Sequence, residues 1–244
     1  THSDTEVLIN TIQLYGEKAL NKLRGMFGFA VWNEKEQTLM LARDFFGIKP
    51  VYYAEIDGHF VFASEIKSIL VFPGYERKVN QKALEQYLSF QYSPLEETFF
   101  KGIYKLMPGH MLLYKNGSYE IKTYFKPKLT PGQWDHKTNM AQLRSQLSEI
   151  LKDSVKHHML SDVEVGAFLS GGVDSGYLAS SSGADQAFTV GFDEGDRYSE
   201  VNKAAKVAEK VGLKHHVKII SKQEFWDALP DVMYHMDEPL GDAS

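Results

Sequence analysis

Residues 162–176, DVEVGAFLSGGVDSG, constrain the fold more than any other part of this chain. The apolar run at 163–169, interrupted by Glu164 and Gly166, predicts a buried strand. It turns through Ser170, Gly171 and Gly172 and enters a helix near Asp174 and Ser175. A strand that ends in glycines at a helix start places bare backbone N–H groups and a positive helix end around an anion. Two adjacent glycines let that backbone approach phosphate oxygens with no Cβ in the way. Ser170 and Ser175 add hydroxyl donors, and Asp174 can hold the Mg²⁺ that accompanies phosphates. The competing reading is a glycine-rich turn with no ligand.

The segments that follow predict an α/β unit. Residues 187–192 read as a strand, 198–212 as a helix with an apolar face and Gly212 as its stop, and 214–220 as a third strand. Residues 223–235 read as a helix with a kink or break at Pro230. This alternation implies a parallel, doubly wound sheet, in which ligands sit beyond the carboxyl ends of the strands. Residues 126–139 are polar, with two prolines and a glycine, and read as a linker; 140–159 then read as a helix. Ahead of the linker, Ser3 and Glu6 form a capping box that opens a helix to about Tyr15. Short strands are expected at 26–32, 38–42, 51–54 and 59–63, and helices at 17–23, 64–70 and from the Asn80 cap to about Tyr92. Asn116 and Gly117 mark a hairpin between 111–114 and 119–124. Many antiparallel strands with few helices predict an α+β domain that packs in layers.

Composition narrows the classes of function. The 244 residues carry a net charge of −5, which argues against a nucleic-acid partner. Hydrophobic residues make up 43%, enough for two modest cores, yet no apolar run approaches the length of a membrane span. No secretory signal is visible at the start, so a cytoplasmic location is expected. Cysteine is absent, which excludes disulfides and thiolate metal ligands within the chain. The pairs His157–His158 and His215–His216 point apart on regular elements and read as surface positions rather than metal ligands.

The string SGGVDS at 170–175 resembles the SGGxDS pyrophosphate loop of the N-type ATP pyrophosphatases. Five further strings resemble the later part of a class II glutamine amidotransferase domain: SDTEV at 3–7, LRGMFGFAVW at 23–32, RDFFGIKPVYY at 43–53, FASEIKS at 62–68 and PG at 108–109. Their order, followed by the pyrophosphate loop, is similar to the layout of glutamine-hydrolysing asparagine synthetases, and the resemblance covers essentially the whole chain. It implies an α+β layered domain of the N-terminal-nucleophile type at 1–125, a linker at 126–139, and an α/β doubly wound ATP pyrophosphatase domain at 140–244, both partial.

What the resemblance implies for individual residues follows from those strings. Asp4 matches the aspartate that receives the α-amino group of glutamine; favouring the helix N-terminus is its structural alternative. Leu169, Ser170, Gly171, Gly172, Val173, Asp174 and Ser175 match the ATP site, with Asp174 on Mg²⁺, and Val190 and Gly191 match the position where backbone meets adenine. Gly176 stands where the family usually has a second serine. Asp237, Glu238 and Asp242 resemble a segment lining the synthetase cleft, with a solvated acidic loop as the alternative. Arg24, Arg43 and Asp44 read as structural ion pairs. The family's N-terminal nucleophilic cysteine and its later acidic segment have no counterpart here, and Thr1 lies too far inside the domain to replace the nucleophile. A chain of these residues alone is therefore expected to lack glutaminase activity and to make no asparagine.

The activity implied is ATP-dependent amidation of aspartate through β-aspartyl-AMP, with ammonia from glutamine. The expected partners are aspartate, glutamine or ammonia, and ATP with Mg²⁺, without nucleic acid or membrane, and a homodimer stays open. Two other readings stay open as well. One is a related amide-forming synthetase, akin to a β-lactam synthetase or a peptide cyclase, acting on another carboxylate. The other is a non-catalytic nucleotide-binding relative.

Overall fold

A computed structural model of the chain describes residues 3–129, 139–193, 200–239 and 241. By contact the chain divides into two units, residues 1–129 together with 233–244, and residues 130–232. The expected linker falls largely outside the described residues, as do Thr1, Tyr198 and Asp242.

The first unit opens with helix α1 (Asp4–Tyr15), capped by Ser3, whose Oγ accepts from Glu6 N at 3.3 Å. A 3₁₀ turn (Gly16–Lys22) follows and buries Ala19 and Leu20. Strands β1 (Gly28–Asn33), β2 (Thr38–Arg43), β6 (His110–Lys115) and β7 (Ser118–Thr123) form one antiparallel sheet in the order β1-β2-β6-β7. Strands β3 (Tyr52–Ile56), β4 (His59–Ala63) and β5 (Ile103–Lys105) form another, ordered β4-β3-β5. The β6–β7 hairpin turns at Asn116 and Gly117, with φ of 52° and 78°, the two left-handed residues that a type I′ turn demands.

Alternation along the strands explains how these layers stack. Leu39 and Leu41 of β2 join Leu112 of β6 and meet Val51, Tyr53 and Leu106 between the two sheets. Met40 and Ala42, on the opposite face of β2, pack with Leu20 and Met111. Ala54 and Ile56 of β3 turn away from Tyr53 and pack on Ile66 and Ile69 of the short helix α2 (Ile66–Leu70). Both faces of β2 and β3 are thus covered, which is why β2 reads as an unbroken apolar run. Helix α3 (Gln81–Phe90) starts at Asn80, whose side chain accepts from Lys82 N at 3.2 Å.

One buried carboxylate organises the turn after β2. Asp44, 1% exposed, accepts hydrogen bonds from Phe27 N (3.3 Å), Phe46 N (3.2 Å), Ile48 N (2.9 Å) and Lys49 N (2.9 Å). Its neighbour Arg43 donates to the carbonyls of Lys49, Leu106 and Gly47 at 2.8, 2.8 and 2.7 Å. The expectation of an Arg43–Asp44 ion pair is therefore corrected, because each side chain is engaged with backbone. Burial pushes the Asp44 pKa up, and the four N–H donors more than offset this and hold it below the usual carboxylate range.

The second unit contains helix α4 (Met140–His158), capped by Asn139, and a parallel three-stranded sheet. Strands β8 (Ala167–Phe168), β9 (Gln186–Phe192) and β10 (Lys214–Ile220) lie in the order β10-β9-β8. Helices α5 (Val173–Ser182) and α6 (Val201–Val211) are the crossovers between them, and Leu169, Ala179, Ala187, Ala204 and Ala208 form their common core. The strand expected at 163–169 shrinks to two paired residues. Val163 is 76% exposed, and Gly166 lies so close to the Phe188 ring that a Cβ would stand 2.6 Å from it. The parallel α/β character holds, whereas the second winding is not seen among the described strands. Phe188, Val190 and Phe192 on the other face of β9 are exposed. Helix α7 (Lys222–Met236) holds Pro230 in its interior and continues past it, so of the kink or break expected there the break does not occur.

The described residues 237–239 and 241 belong to the first unit, and Asp237, Glu238 and Gly241 hydrogen-bond there. Asp237 accepts from Ile66 N (2.7 Å) and Lys67 N (3.1 Å), so it caps α2 from 170 residues away in sequence. Lys67 Nζ lies 3.1 Å from the same carboxylate and 3.2 Å from Glu65. Glu238 accepts from Phe99 N at 2.8 Å, and Gly241 N donates to Gln91 O at 2.9 Å.

Replacing Asp44 with Ala should strand four backbone donors, at a cost of about 3–5 kcal/mol in denaturant unfolding. Because its folded pKa is depressed, the stabilisation from Asp44 is complete above the unfolded value and disappears as pH falls through the folded one. The unaltered protein should therefore lose stability on acidification more steeply than Asp44→Asn, and parallel slopes would refute the assignment.

Candidate functional site

Two separate places carry the residues singled out in the sequence. The first is a recess of about 510 Å³ in the first unit, lined among others by Asp4, Arg24, Met26, Gly28, Lys49 and Ser64. Asp4 opens α1 on its rim, where Thr5 N donates to Asp4 Oδ1 at 2.7 Å. The floor follows from the Asp44 clamp, which ties Phe27 and Lys49 to a single carboxylate. Pro50 and Val51 approach β1 closely, and a Cβ at Gly28 would stand 2.9 Å from Val51 Cγ2 and 3.0 Å from Pro50 O. The recess combines one carboxylate with two cationic side chains, a set that suits a zwitterion bearing both an ammonium and a carboxylate. Arg24, Lys49 and Ser64 lie in the strings that carried the family resemblance, but no spacing rule pointed them into one recess.

The second place is the turn between β8 and α5. Leu169 is 2% exposed and ends the strand, with its N–H donating to Phe188 O at 2.9 Å. Gly171 adopts φ +75°, and a Cβ there would stand 2.7 Å from Lys203 Cβ and 2.9 Å from Ala204 N of α6. Only glycine satisfies both the conformation and the close approach. Gly172 is the N-cap of α5 and makes no side-chain cap bond, so the first-turn amides have no intrahelical acceptor. The two hydroxyls converge, with Ser170 Oγ 2.9 Å from Ser175 Oγ, and Gly172 N donates to Ser170 Oγ at 3.4 Å. A Cβ at Gly172 would lie 3.3 Å from Ser170 Oγ and 3.9 Å from Ser175 Oγ, so the missing carbon keeps the space before both hydroxyls open. Asp174 stands in the first turn of the helix. The cradle fits the phosphates of a nucleotide: two hydroxyls, free amides, a positive helix end and one carboxylate.

Val190 and Gly191 lie on β9, the strand paired with β8, with Val190 52% exposed and Gly191 buried. Gly176 is not demanded by packing, since a Cβ there would meet Val207 at an ordinary 3.8 Å. Among the described residues no group of three histidine or acidic side chains is placed to hold a metal. The structure puts Asp237 and Glu238 on backbone N–H groups of the first unit, not in an open acidic loop. Burial pushes the Glu238 pKa up despite the bond from Phe99. Asp242 lies outside the described residues. No helix among the described residues is long and apolar enough to cross a membrane.

Comparison with known proteins finds two matched segments. Residues 146–244 match the asparagine synthase family. The chain is 40% identical to "Asparagine synthetase [glutamine-hydrolyzing] 1" of Bacillus subtilis (strain 168), over 99% of its own length and 38% of that protein's. It is 35% identical to a "Putative asparagine synthetase [glutamine-hydrolyzing]" of Mycobacterium bovis, again over 99% of this chain and 38% of the relative. A fungal relative from Penicillium rubens, named "Amidase chyE", is 30% identical over 98% of the chain and 38% of its own length. The chain thus spans little more than a third of each of these relatives. Residues 1–125, over half of the chain, match the glutamine amidotransferase domain, and the protein belongs to that family, with an asparagine synthase segment following.

Proposed function

We propose that the protein containing this chain amidates aspartate to asparagine, using ATP for activation and glutamine as the source of ammonia. The observation that carries the reading is the cradle of Ser170, Gly172 and Ser175 on a chain whose other unit holds a recess suited to an amino acid. We read the first unit as an N-terminal-nucleophile fold and the second as the start of a doubly wound ATP pyrophosphatase domain. An oxygen of the aspartate side chain attacks the α-phosphorus, and the bond to the β-phosphate oxygen breaks. Pyrophosphate leaves and β-aspartyl-AMP forms. Ammonia then attacks the acyl carbon, and AMP departs to give asparagine.

The residues of this chain serve that reaction chiefly by stabilising charge. Amides of the first turn of α5 and the hydroxyls of Ser170 and Ser175 face the negative charge that builds on departing pyrophosphate. Asp174 would hold Mg²⁺, which when bound supplies positive charge to the phosphate oxygens. Backbone at Val190 and Gly191 would meet the adenine. In the other unit Asp4 would receive the glutamine ammonium, in the recess that Arg24 and Lys49 also line.

Asp174→Ala should abolish most synthesis with either glutamine or ammonia as nitrogen donor, since both routes use the same activation step. Product analysis of the unaltered protein should show AMP and pyrophosphate formed only with aspartate; ADP and orthophosphate would sink the assignment. Asp4→Ala should raise the glutamine KM strongly, at a cost of roughly 2–5 kcal/mol of binding, while leaving ammonia-dependent synthesis intact. Equal loss of both activities would mean that Asp4 holds the fold rather than the substrate.

A further inference from the structure

Behind the phosphate cradle, one hydroxyl takes part in two hydrogen bonds that its single proton cannot both supply. Thr189 of β9 is 4% exposed, and its Oγ1 lies 2.6 Å from Leu169 O and 2.7 Å from His215 Nε2. A carbonyl oxygen only accepts, so the hydroxyl proton goes to Leu169. His215 must then donate, and its proton sits on Nε2. The opposite arrangement would press two unprotonated oxygens together at 2.6 Å inside the core.

The consequence reaches the loop through a rigid peptide. The Leu169–Ser170 peptide is planar and trans, so its C=O and N–H point in opposite directions. Turning the carbonyl onto Thr189 turns Ser170 N–H the other way, where it donates to Ser175 Oγ at 3.2 Å. Ser175 Oγ in turn meets Ser170 Oγ at 2.9 Å. His216, the next residue, belongs to the other face of β10: it stacks on Phe188 at 4.9 Å and bonds Gln186. His215 is therefore half-buried and engaged with Thr189, where a surface position was expected.

We propose that Thr189 and His215 are positioning residues for the phosphate loop, acting through the Leu169–Ser170 peptide to hold the Ser170 and Ser175 hydroxyls in register for a polyphosphate. The proposal rests on the reading of this loop as the ATP pyrophosphate site. Neither residue touches the nucleotide.

The experiment uses the full-length protein and reads Mg-ATP affinity by calorimetry together with steady-state kinetics. Thr189→Val, which keeps the shape and removes the hydroxyl, should weaken Mg-ATP by about three- to tenfold, and Thr189→Ser should restore it to within about twofold. His215→Gln, which keeps an N–H donor, should bind better than His215→Phe. The rise should fall on the ATP KM, with glutamine hydrolysis unchanged, a split that general loosening of the fold would not give. Nitrogen-15 NMR of the neutral ring should show His215 protonated at Nε2, a readout that needs neither ligand nor substitution. A ring protonated at Nδ1, or unaltered Mg-ATP affinity in Thr189→Val, would overturn the relay alone. Failure of the unaltered protein to bind Mg-ATP would instead overturn the reading of the loop, and the purpose of the relay with it.

Discussion

The carboxylate of Asp44 is the point on which the first unit is built. Four amides from two segments converge on it, and Arg43 gathers three carbonyls from the surrounding backbone. Leaving any of these backbone groups buried and unpaired would cost more than most side-chain contacts contribute. The clamp also extends outward: the Asp44 carbonyl accepts from Gly109 N at 2.9 Å, and Tyr124 OH donates to the Arg43 carbonyl at 2.5 Å. The recess therefore inherits its floor from a constraint that touches no ligand. Lys49 is aimed by the peptide it belongs to, and that peptide is fixed by Asp44.

The second unit uses small residues where the first uses charge. Ala204 and Ala208 of α6 join the small-residue core, and Gly171 lies against Lys203 and the Ala204 backbone because it has no side chain. Close approach of loop and helix is what brings the hydroxyls of Ser170 and Ser175 together before open amides.

Local signals were the legible ones. Asn116–Gly117 specified its hairpin, and Ser3 and Asn80 capped the helices that follow them. The apolar face of 201–211 was readable from its 3.6-residue period. Misjudged elements depended on a partner in space. Strand β5 has three residues and no period of its own, and exists because β3 offers it an edge. Strand β8 was expected to be longer because the 163–169 run is apolar apart from Glu164 and Gly166, yet β9 pairs only with Ala167 and Phe168. At the sites, the loop residues were visible as a string. The cap of α2 by Asp237 and the link from His215 to Leu169 were not, because both join residues far apart in sequence through groups that no short pattern distinguishes.

The cap of α2 also bears on modularity. The first unit is discontinuous: its last element in space comes from the far end of the sequence, after the whole second unit has been threaded through. A shuffling event or a laboratory fusion that cut once, near residue 129, would carry away the acidic residue that closes α2 and leave Lys67 with Glu65 alone of its two carboxylates. Inheritance of this amidotransferase fold as a free-standing cassette would therefore need a substitute for Asp237.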